Sequence, residues 1–359
     1  MEYYNGARLL SKLDLDGQKP QFYICTTNRS GGKTTFFSRF LLDNFLQKGE
    51  KFILLYRYDY ELQDVSTRFF KDIGSLFFKS KCMMEKSVGK GVLKELYVGD
   101  INLQDDIEKL DIDIMSPCGY AIAINKADSI KKYSHFLTDA DNILFDEFQS
   151  ETNSYCPNEI TKFLSIMTSV CRGHGKTFRY VRVIMLSNQV SILNPYFTEM
   201  GISTRLTSET KFLRGNGWVL ENGFIEGASE AMKNSPLARA FKNNAYIAYS
   251  SENVYLNDST AFIEAPPSEH GKYIATIKYG GNNFGLLSYP NEGILYVTRK
   301  YDINFPYRLS VTTNDHDTNY IMIKNNYDFI SNLRFYFERG CFRFKDSLCK
   351  ECIIKTLSY

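Results

Sequence analysis

The chain has 359 residues, of which 43% are hydrophobic and 23% charged, and its formal net charge is +2 at neutral pH. This is the composition of a globular protein of about two domains, each long enough to bury its own core. Near-neutrality excludes a polyanion partner held by bulk charge, and no apolar run approaches the roughly 20 residues of a membrane span.

Met1-Glu2-Tyr3-Tyr4-Asn5 is no signal peptide. Residues 1–20 are polar and mixed, and they are placed to supply the adenine side of a nucleotide site. Phe22-Tyr23-Ile24-Cys25 reads as a buried strand. It breaks into the turn Thr27-Asn28-Arg29-Ser30-Gly31-Gly32-Lys33-Thr34, followed by Thr35. A helical pattern follows, with Phe37, Phe40, Leu41 and Phe45 on one side and Gly49 as the stop. Strand, Gly-containing turn, Gly-Lys-Thr and helix form the architecture of a phosphate-binding loop. Its backbone N–H groups and the helix N-terminus face an anion. Lys33 is expected to reach the β and γ phosphates of ATP, and Thr34 to hold Mg²⁺. Thr27 stands where the motif G-x-x-x-x-G-K-[ST] begins with glycine. The alternative is an ordinary strand-to-helix turn with a solvated lysine.

Phe52-Ile53-Leu54-Leu55-Tyr56 reads as a second buried strand. Arg57 follows it, either as a ligand-facing sensor or as a salt-bridged rim arginine. Residues 60–135 alternate helical and extended patterns. Their basic clusters, Lys79-Ser80-Lys81 and Lys131-Lys132, read as solvated faces.

Ile143-Leu144-Phe145 is an apolar run ending in Asp146-Glu147. A Mg²⁺–nucleotide enzyme needs one carboxylate at the metal and a second to orient water. Asp146 suits the first role and Glu147 the second. Adjacent residues at a strand end point in different directions. The Lys33 loop and the Asp-Glu pair strengthen each other, and the second acid favours a hydrolase or motor over a small-molecule kinase.

Pro157 suits the first turn of a helix whose stripe is Ile160, Phe163, Leu164, Met167 and Cys171. That helix delivers Arg172 into Gly173-His174-Gly175, a loop expected to be mobile. Arg172 reads either as a helix C-terminal cation or as an arginine finger for a neighbouring subunit. Val183-Ile184-Met185-Leu186 is a further strand, ending in Ser187-Asn188. Asn188 reads either as a γ-phosphate sensor or as the start of the turn to Asn194-Pro195.

Residues 206–256 are rich in Gly, Asn and Ser and read as a linker subdomain, with a short helical piece over Pro236–Lys242. Beyond it Tyr273–Tyr279, Phe284–Tyr289 and Ile294–Arg299 read as strands joined by two hairpin turns. A β-meander followed by helices suits an RNase H-like α/β fold. The first of these strands carries no acid, so a nuclease metal site is not expected. Residues 324–359 hold Lys324, Arg334, Arg339, Arg343 and Lys345 interleaved with aromatics, the best local nucleic-acid signal in the chain. Cys349 and Cys352 form one C-x-x-C without a second pair, which reads as reduced thiols on a cytosolic helix.

With these residues in view, the chain resembles the DNA packaging ATPases of small, short-tailed, protein-primed phages, a terminase-like motor family. The resemblance lies in Leu144-Phe145-Asp146-Glu147-Phe148, Tyr155-Cys156-Pro157-Asn158-Glu159 and Leu186-Ser187-Asn188 through Asn194-Pro195-Tyr196-Phe197. It continues through Phe262-Ile263-Glu264, Gly293-Ile294-Leu295-Tyr296 and Lys324-Asn325-Asn326-Tyr327. It implies an ASCE P-loop ATPase domain over 1–205, the linker, and an RNase H-like vestigial nuclease domain over 257–359. It implies a homomeric ring, a pentamer, docked through a packaging RNA on the portal of an empty phage head in the host cytoplasm. That ring drives double-stranded DNA inward by hydrolysing ATP. Lys33 and Thr34 take the Walker A roles, Asp146 and Glu147 the Walker B metal and base roles, and Arg172 the trans-acting finger. A helicase or a nucleotide-dependent switch is the alternative.

Overall fold

The computed structural model describes residues 3–358, apart from 102–114, 153, 174–177, 204, 207–209, 242–243 and 252–261. His174, Gly175 and Lys242, named above, lie outside the described residues. The chain divides into two compact units, Met1–Asn257 and Asp258–Tyr359. No described helix is long and apolar enough to cross a membrane.

The first unit is built on nine strands. In chain order they are β1 Phe22–Thr27, β2 Lys51–Tyr56, β3 Lys81–Val88, β4 Leu93–Asp100, β5 Gly119–Ala123, β6 Ala140–Asp146, β7 Arg182–Asn188, β8 Phe212–Gly215 and β9 Trp218–Asn222. They form one sheet in the order β3-β4-β5-β2-β6-β7-β1-β9-β8. The six strands from β5 to β9 are mutually parallel. Antiparallel β3, β4 and β8 extend the two edges.

The central strands are near-continuous apolar runs because both sheet faces are covered. Successive residues alternate between two cores. Ile24, Ile53, Ile143, Phe145, Val183 and Met185 face the core closed by the helix Glu159–Val170. Tyr23, Cys25, Leu54, Leu144, Ile184 and Leu186 face the core closed by the helix Lys33–Lys48. That second helix starts at the expected lysine and stops at Gly49 in the left-handed region, φ +73°.

Strand β7 lies between β1 and β6, so one strand separates the phosphate loop from the Asp-Glu strand. The register pairs Thr27 with Asn188 and Asp146 with Leu186. The C-terminal ends of β1, β7 and β6 therefore open on the same side, where parallel sheets bind ligands.

Three expectations need correction. Residues 206–256 are no separate linker: β8 and β9 belong to the main sheet, and β9 pairs with β1 from Phe22↔Trp218 to Thr26↔Asn222. Glu221 and Asn222 hid this strand, since both are polar and both are buried there. Pro157 precedes the helix Glu159–Val170, whose N-cap is Asn158. Leu164, placed on that helix's apolar stripe, is 48% exposed.

The second unit is a mixed α/β fold with a six-stranded sheet. Strands β10 Lys272–Tyr279, β11 Asn282–Tyr289 and β12 Ile294–Thr298 form an antiparallel meander. Strand β13, Arg308–Ser310, returns parallel to β10, and β14, Ile321–Met322, runs parallel to β13. The order from β12 through β11, β10 and β13 to β14 is that of an RNase H-like sheet. Strand β15, Phe342–Phe344, adds a parallel edge beside β12. The crossovers from β12 to β13 and from β13 to β14 hold no α-helix, only the 3-10 turn Thr313–Asp315. The helices Tyr327–Glu338 and Ser347–Leu357 follow the meander.

Candidate active site

The phosphate loop is shaped by its neighbours before any ligand enters. Thr27 stays in β1 and has no positive φ, so no glycine is needed at that position. Its Cγ2 has room because Gly223 faces it: a Cβ there would come within 3.2 Å. Asn28 is fully buried, and both ends of its amide bond the Ile225 backbone at 2.8 and 3.1 Å. The side chains of Thr27 and Asn28 therefore serve as scaffold for the loop. On the other flank the Tyr4 N–H donates to the Gly31 carbonyl at 2.8 Å. Tyr3 leaves its ring exposed beside Gly32. Gly32 caps the helix at φ +86°, a conformation open to glycine at little cost. The first-turn N–H groups of that helix have no intrahelical acceptor.

Eight residues line a cleft of about 280 Å³ at the strand ends: Arg29, Ser30, Lys33, Thr34, Asp146, Glu147, Ser187 and Asn188. Seven of these eight are predicted site residues. Thr34 Oγ1 donates to Asp146 Oδ2 at 2.7 Å. Lys33 Nζ donates to Asn188 Oδ1 at 2.8 Å. Lys33 is only 7% exposed and, among the described residues, forms no ion pair. Burial lowers its pKa, opposed by the charge of Asp146. A desolvated ammonium with only an amide partner is a receptor for an anion. Thr34 and Asp146 offer two hard oxygens beside it, which suits Mg²⁺, an ion that keeps several waters and phosphate oxygens in its shell. Thr35 lies outside this cleft and lines a neighbouring groove of about 280 Å³, together with Thr34, Glu61, Arg68, Asp146 and Glu147.

Glu147 has φ +55°, in the left-handed region that non-glycine residues enter rarely. The side chain stands exposed at the cleft mouth, yet partial desolvation by the surrounding atoms, and then the charges of Asp146 and Glu151, raise its pKa above the ordinary value. Its backbone is held from below by Arg57. Arg57 Nη1 donates to the Glu147 carbonyl at 3.3 Å, and Nη2 donates to the Phe148 carbonyl. Arg57 Nε bonds both carboxylate oxygens of Glu159 at 3.1 Å. Arg57 does not line the phosphate cleft itself but an adjoining cavity of about 190 Å³, shared with Arg29, Glu147 and Asn188, and it is salt-bridged to Glu159. It is 8% exposed and braces the backbone of Glu147.

Sequence reasoning assigned no role to Glu159. This carboxylate is 4% exposed and also accepts from Tyr196 Oη at 2.8 Å and from the Cys156 N–H at 2.7 Å. The signal was there: Glu159 lies four residues before Phe163, on the buried helix face, and a buried acid requires a cation.

Arg172 is exposed and lines neither the cleft nor the groove beside it. The helix before it runs back to the N-terminal end of the parallel strands. There the Arg179 N–H bonds the Cys171 carbonyl at 2.8 Å, and Arg179 Nη2 bonds the Ala140 carbonyl at the start of β6. Arg172 does not serve its own chain's cleft.

In the second unit the five basic candidates divide. Arg334 caps a helix end by donating to the Leu357 carbonyl at 3.0 and 3.3 Å. Arg343 pairs with Glu264 and donates to the carbonyls of Gly340 and Phe342 at 2.7 and 2.8 Å. Both are engaged in holding their own unit together. Lys324, Arg339 and Lys345 are exposed, and the Arg339 guanidinium lies 3.5 Å from the ring centroid of Phe335.

Replacing Arg57 should be costly, because Glu159 would remain buried without a cation. Arg57→Ala is expected to lose about 3–5 kcal/mol in urea unfolding. Arg57→Ala with Glu159→Gln should recover part of that loss.

The chain is similar to known proteins along most of its length. The Podovirus DNA encapsidation protein (Gp16) family matches residues 1–357. The chain is 27% identical over 341 residues to the DNA packaging protein of Bacillus phage phi29, covering 92% of this chain and 90% of that protein. It is 27% identical over 340 residues to the DNA packaging protein of Bacillus phage B103, covering 92% and 93%. The fold is similar to a chain of the bacteriophage phi29 viral genome packaging motor assembly, with a TM-score of 0.66 and 23% identity over all of this chain and 98% of that one. The chain belongs to the Podovirus DNA encapsidation protein (Gp16) family.

Proposed function

We propose that this protein is an ATP-driven motor that moves double-stranded viral DNA into a preformed head. The observation that carries this reading is the single cleft joining Lys33, Thr34, Asp146, Glu147 and Asn188. The similar phage proteins are DNA packaging proteins, which supports DNA as the substrate moved.

In this reading the first-turn N–H groups and Lys33 bind the β and γ phosphates. Thr34 and Asp146 hold Mg²⁺, which neutralises charge on the phosphate oxygens when bound. Asn188 receives a bond from Lys33 and orients it towards the γ-phosphate. Glu147 accepts a proton from the water that attacks the γ-phosphorus. Arg57 keeps that carboxylate in position from behind. Tyr3, exposed beside Gly32, would cover the base, as one of the N-terminal residues on the adenine side. Arg172, turned away from its own cleft, reaches the cleft of the next copy in a ring of identical subunits, a pentamer, seated on the portal through a packaging RNA. Lys324, Arg339 and Lys345 are the exposed cations for nucleic acid in the second unit. That unit is a vestigial nuclease: β10 contains no acid to anchor a catalytic metal. The motor works on the assembling head in the host cytoplasm.

A helicase or a nucleotide switch would share the same cleft. DNA-stimulated turnover without strand separation separates the motor from both. Steady-state ATP hydrolysis is expected to rise with double-stranded DNA and to fall at least a hundredfold in Glu147→Gln, while ATP still binds. Turnover indifferent to DNA and to this substitution would contradict the reading. The acid limb of kcat/KM, which reports the free enzyme, should lie above the ordinary glutamate value of 4.5, because the base must be ionised and its pKa is raised in the free chain.

Arg172→Ala should bind ATP as tightly as the native chain when isolated, yet lower turnover of the assembled ring by about a thousandfold. Loss of nucleotide binding by isolated Arg172→Ala subunits would contradict the trans role.

A further inference from the structure

Glu151 sits where three parts of the first unit meet. Its Oε1 accepts from Arg29 Nη2 of the phosphate loop at 2.6 Å and from Tyr249 Oη at 2.9 Å. Its Oε2 accepts from Tyr246 Oη at 3.3 Å. Asn188, which bonds Lys33 in the phosphate cleft, also donates to this carboxylate. Tyr246 and Tyr249 lie on the helix Ala245–Ser251, the last helix of the first unit among the described residues, and the second unit begins at Asp258. One carboxylate therefore ties that helix to two residues that line the phosphate cleft.

The arrangement is not saturated on the cleft side. Arg29 Nε is buried and has no hydrogen-bond acceptor among the described residues. The Arg29 guanidinium is shared between Glu151 and the face of Tyr246, whose ring centroid lies 5.3 Å away. On the helix side Tyr249 is 1% exposed, so its hydroxyl has no water to fall back on.

We propose that Glu151 is a coupling residue that passes the occupancy of the phosphate cleft to the helix Ala245–Ser251. This rests on the ATP-binding reading of the cleft. A triphosphate there is a concentrated anion beside Arg29, Lys33 and Asn188, and it competes with Glu151 for their donors. As Arg29 and Asn188 turn to the phosphates, the carboxylate keeps the two tyrosine hydroxyls and loses its donors from the cleft. The helix then loses the support that anchored Glu151 to the loop. Differential contact of the ligand with two states of one element is what coupling requires. Losing one hydrogen bond to a charged group shifts a local equilibrium by about tenfold.

Hydrogen exchange of the full-length protein tests this, with and without the non-hydrolysable analogue AMP-PNP and Mg²⁺. Amides of residues 245–251 are expected to exchange about tenfold faster with the analogue bound. The difference should vanish in Glu151→Gln and in Tyr249→Phe. Tyr246→Phe, at an exposed ring, should reduce it without affecting the fold. Binding of the analogue is measured on the same samples by calorimetry. A chain that fails to bind it contradicts the ATP-binding reading and this coupling with it. A chain that binds it while exchange at 245–251 is unchanged, slowed, or equally altered in the variants overturns the coupling alone. A purely structural role for Tyr249 would raise exchange in Tyr249→Phe equally with and without the analogue.

Discussion

The register of three adjacent parallel strands is the constraint on which the rest depends. Strand β7 pairs with β1 so that Asn188 faces Thr27, and with β6 so that Leu186 faces Asp146. A shift of one residue in either ladder would send Asp146 or Asn188 to the wrong side, because side chains alternate with period two. The register is held by apolar residues that fill both faces of the sheet, chiefly Ile24, Phe145 and Met185 on one side and Cys25, Leu144 and Leu186 on the other. Burial of these side chains thus sets the 2.7 Å contact of Thr34 with Asp146 and the 2.8 Å contact of Lys33 with Asn188.

Polar groups beneath the cleft add precision where apolar packing cannot. Arg57 and Glu159 form a buried ion pair, which is weak evidence for stability because desolvation offsets the Coulombic gain. Its value here is geometric. The same guanidinium holds the carbonyls of Glu147 and Phe148, fixing a backbone turn at φ +55° that a glutamate does not adopt freely. On the opposite flank, Asn28 and the Tyr4 N–H clamp the phosphate loop between segments that are far apart in the chain. The loop is therefore preorganised by Ile225 and Tyr4 rather than by a glycine at position 27.

What was legible in the sequence was local. The run Phe22-Tyr23-Ile24-Cys25, the turn to Gly32-Lys33-Thr34, and Asp146-Glu147 after an apolar strand each carry their meaning in a few consecutive residues. What escaped was set by distant partners. Arg57 could not be separated from a rim arginine, because its partner Glu159 lies 102 residues on. The scaffold role of the Asn28 side chain left no local signal, because it depends on Ile225, 197 residues away. Strands β8 and β9 are short and flanked by glycine, and the apolar run Trp218-Val219-Leu220 ends in the buried polar pair Glu221-Asn222, so the strand was not separated from its Gly-rich surroundings. Charge content in the last stretch did not reveal that Arg334 and Arg343 serve backbone carbonyls and Glu264.

The central claim is that Lys33 and the Thr34–Asp146 pair are the anion and metal ends of one nucleotide cleft. Calorimetric titration of ATP with and without Mg²⁺, on the native chain and Asp146→Asn, tests it most directly. The account predicts that Mg²⁺ tightens ATP binding at least tenfold in the native chain and that this gain disappears in Asp146→Asn. ATP binding that is equally tight without Mg²⁺, or a Mg²⁺ effect that survives Asp146→Asn, would contradict it.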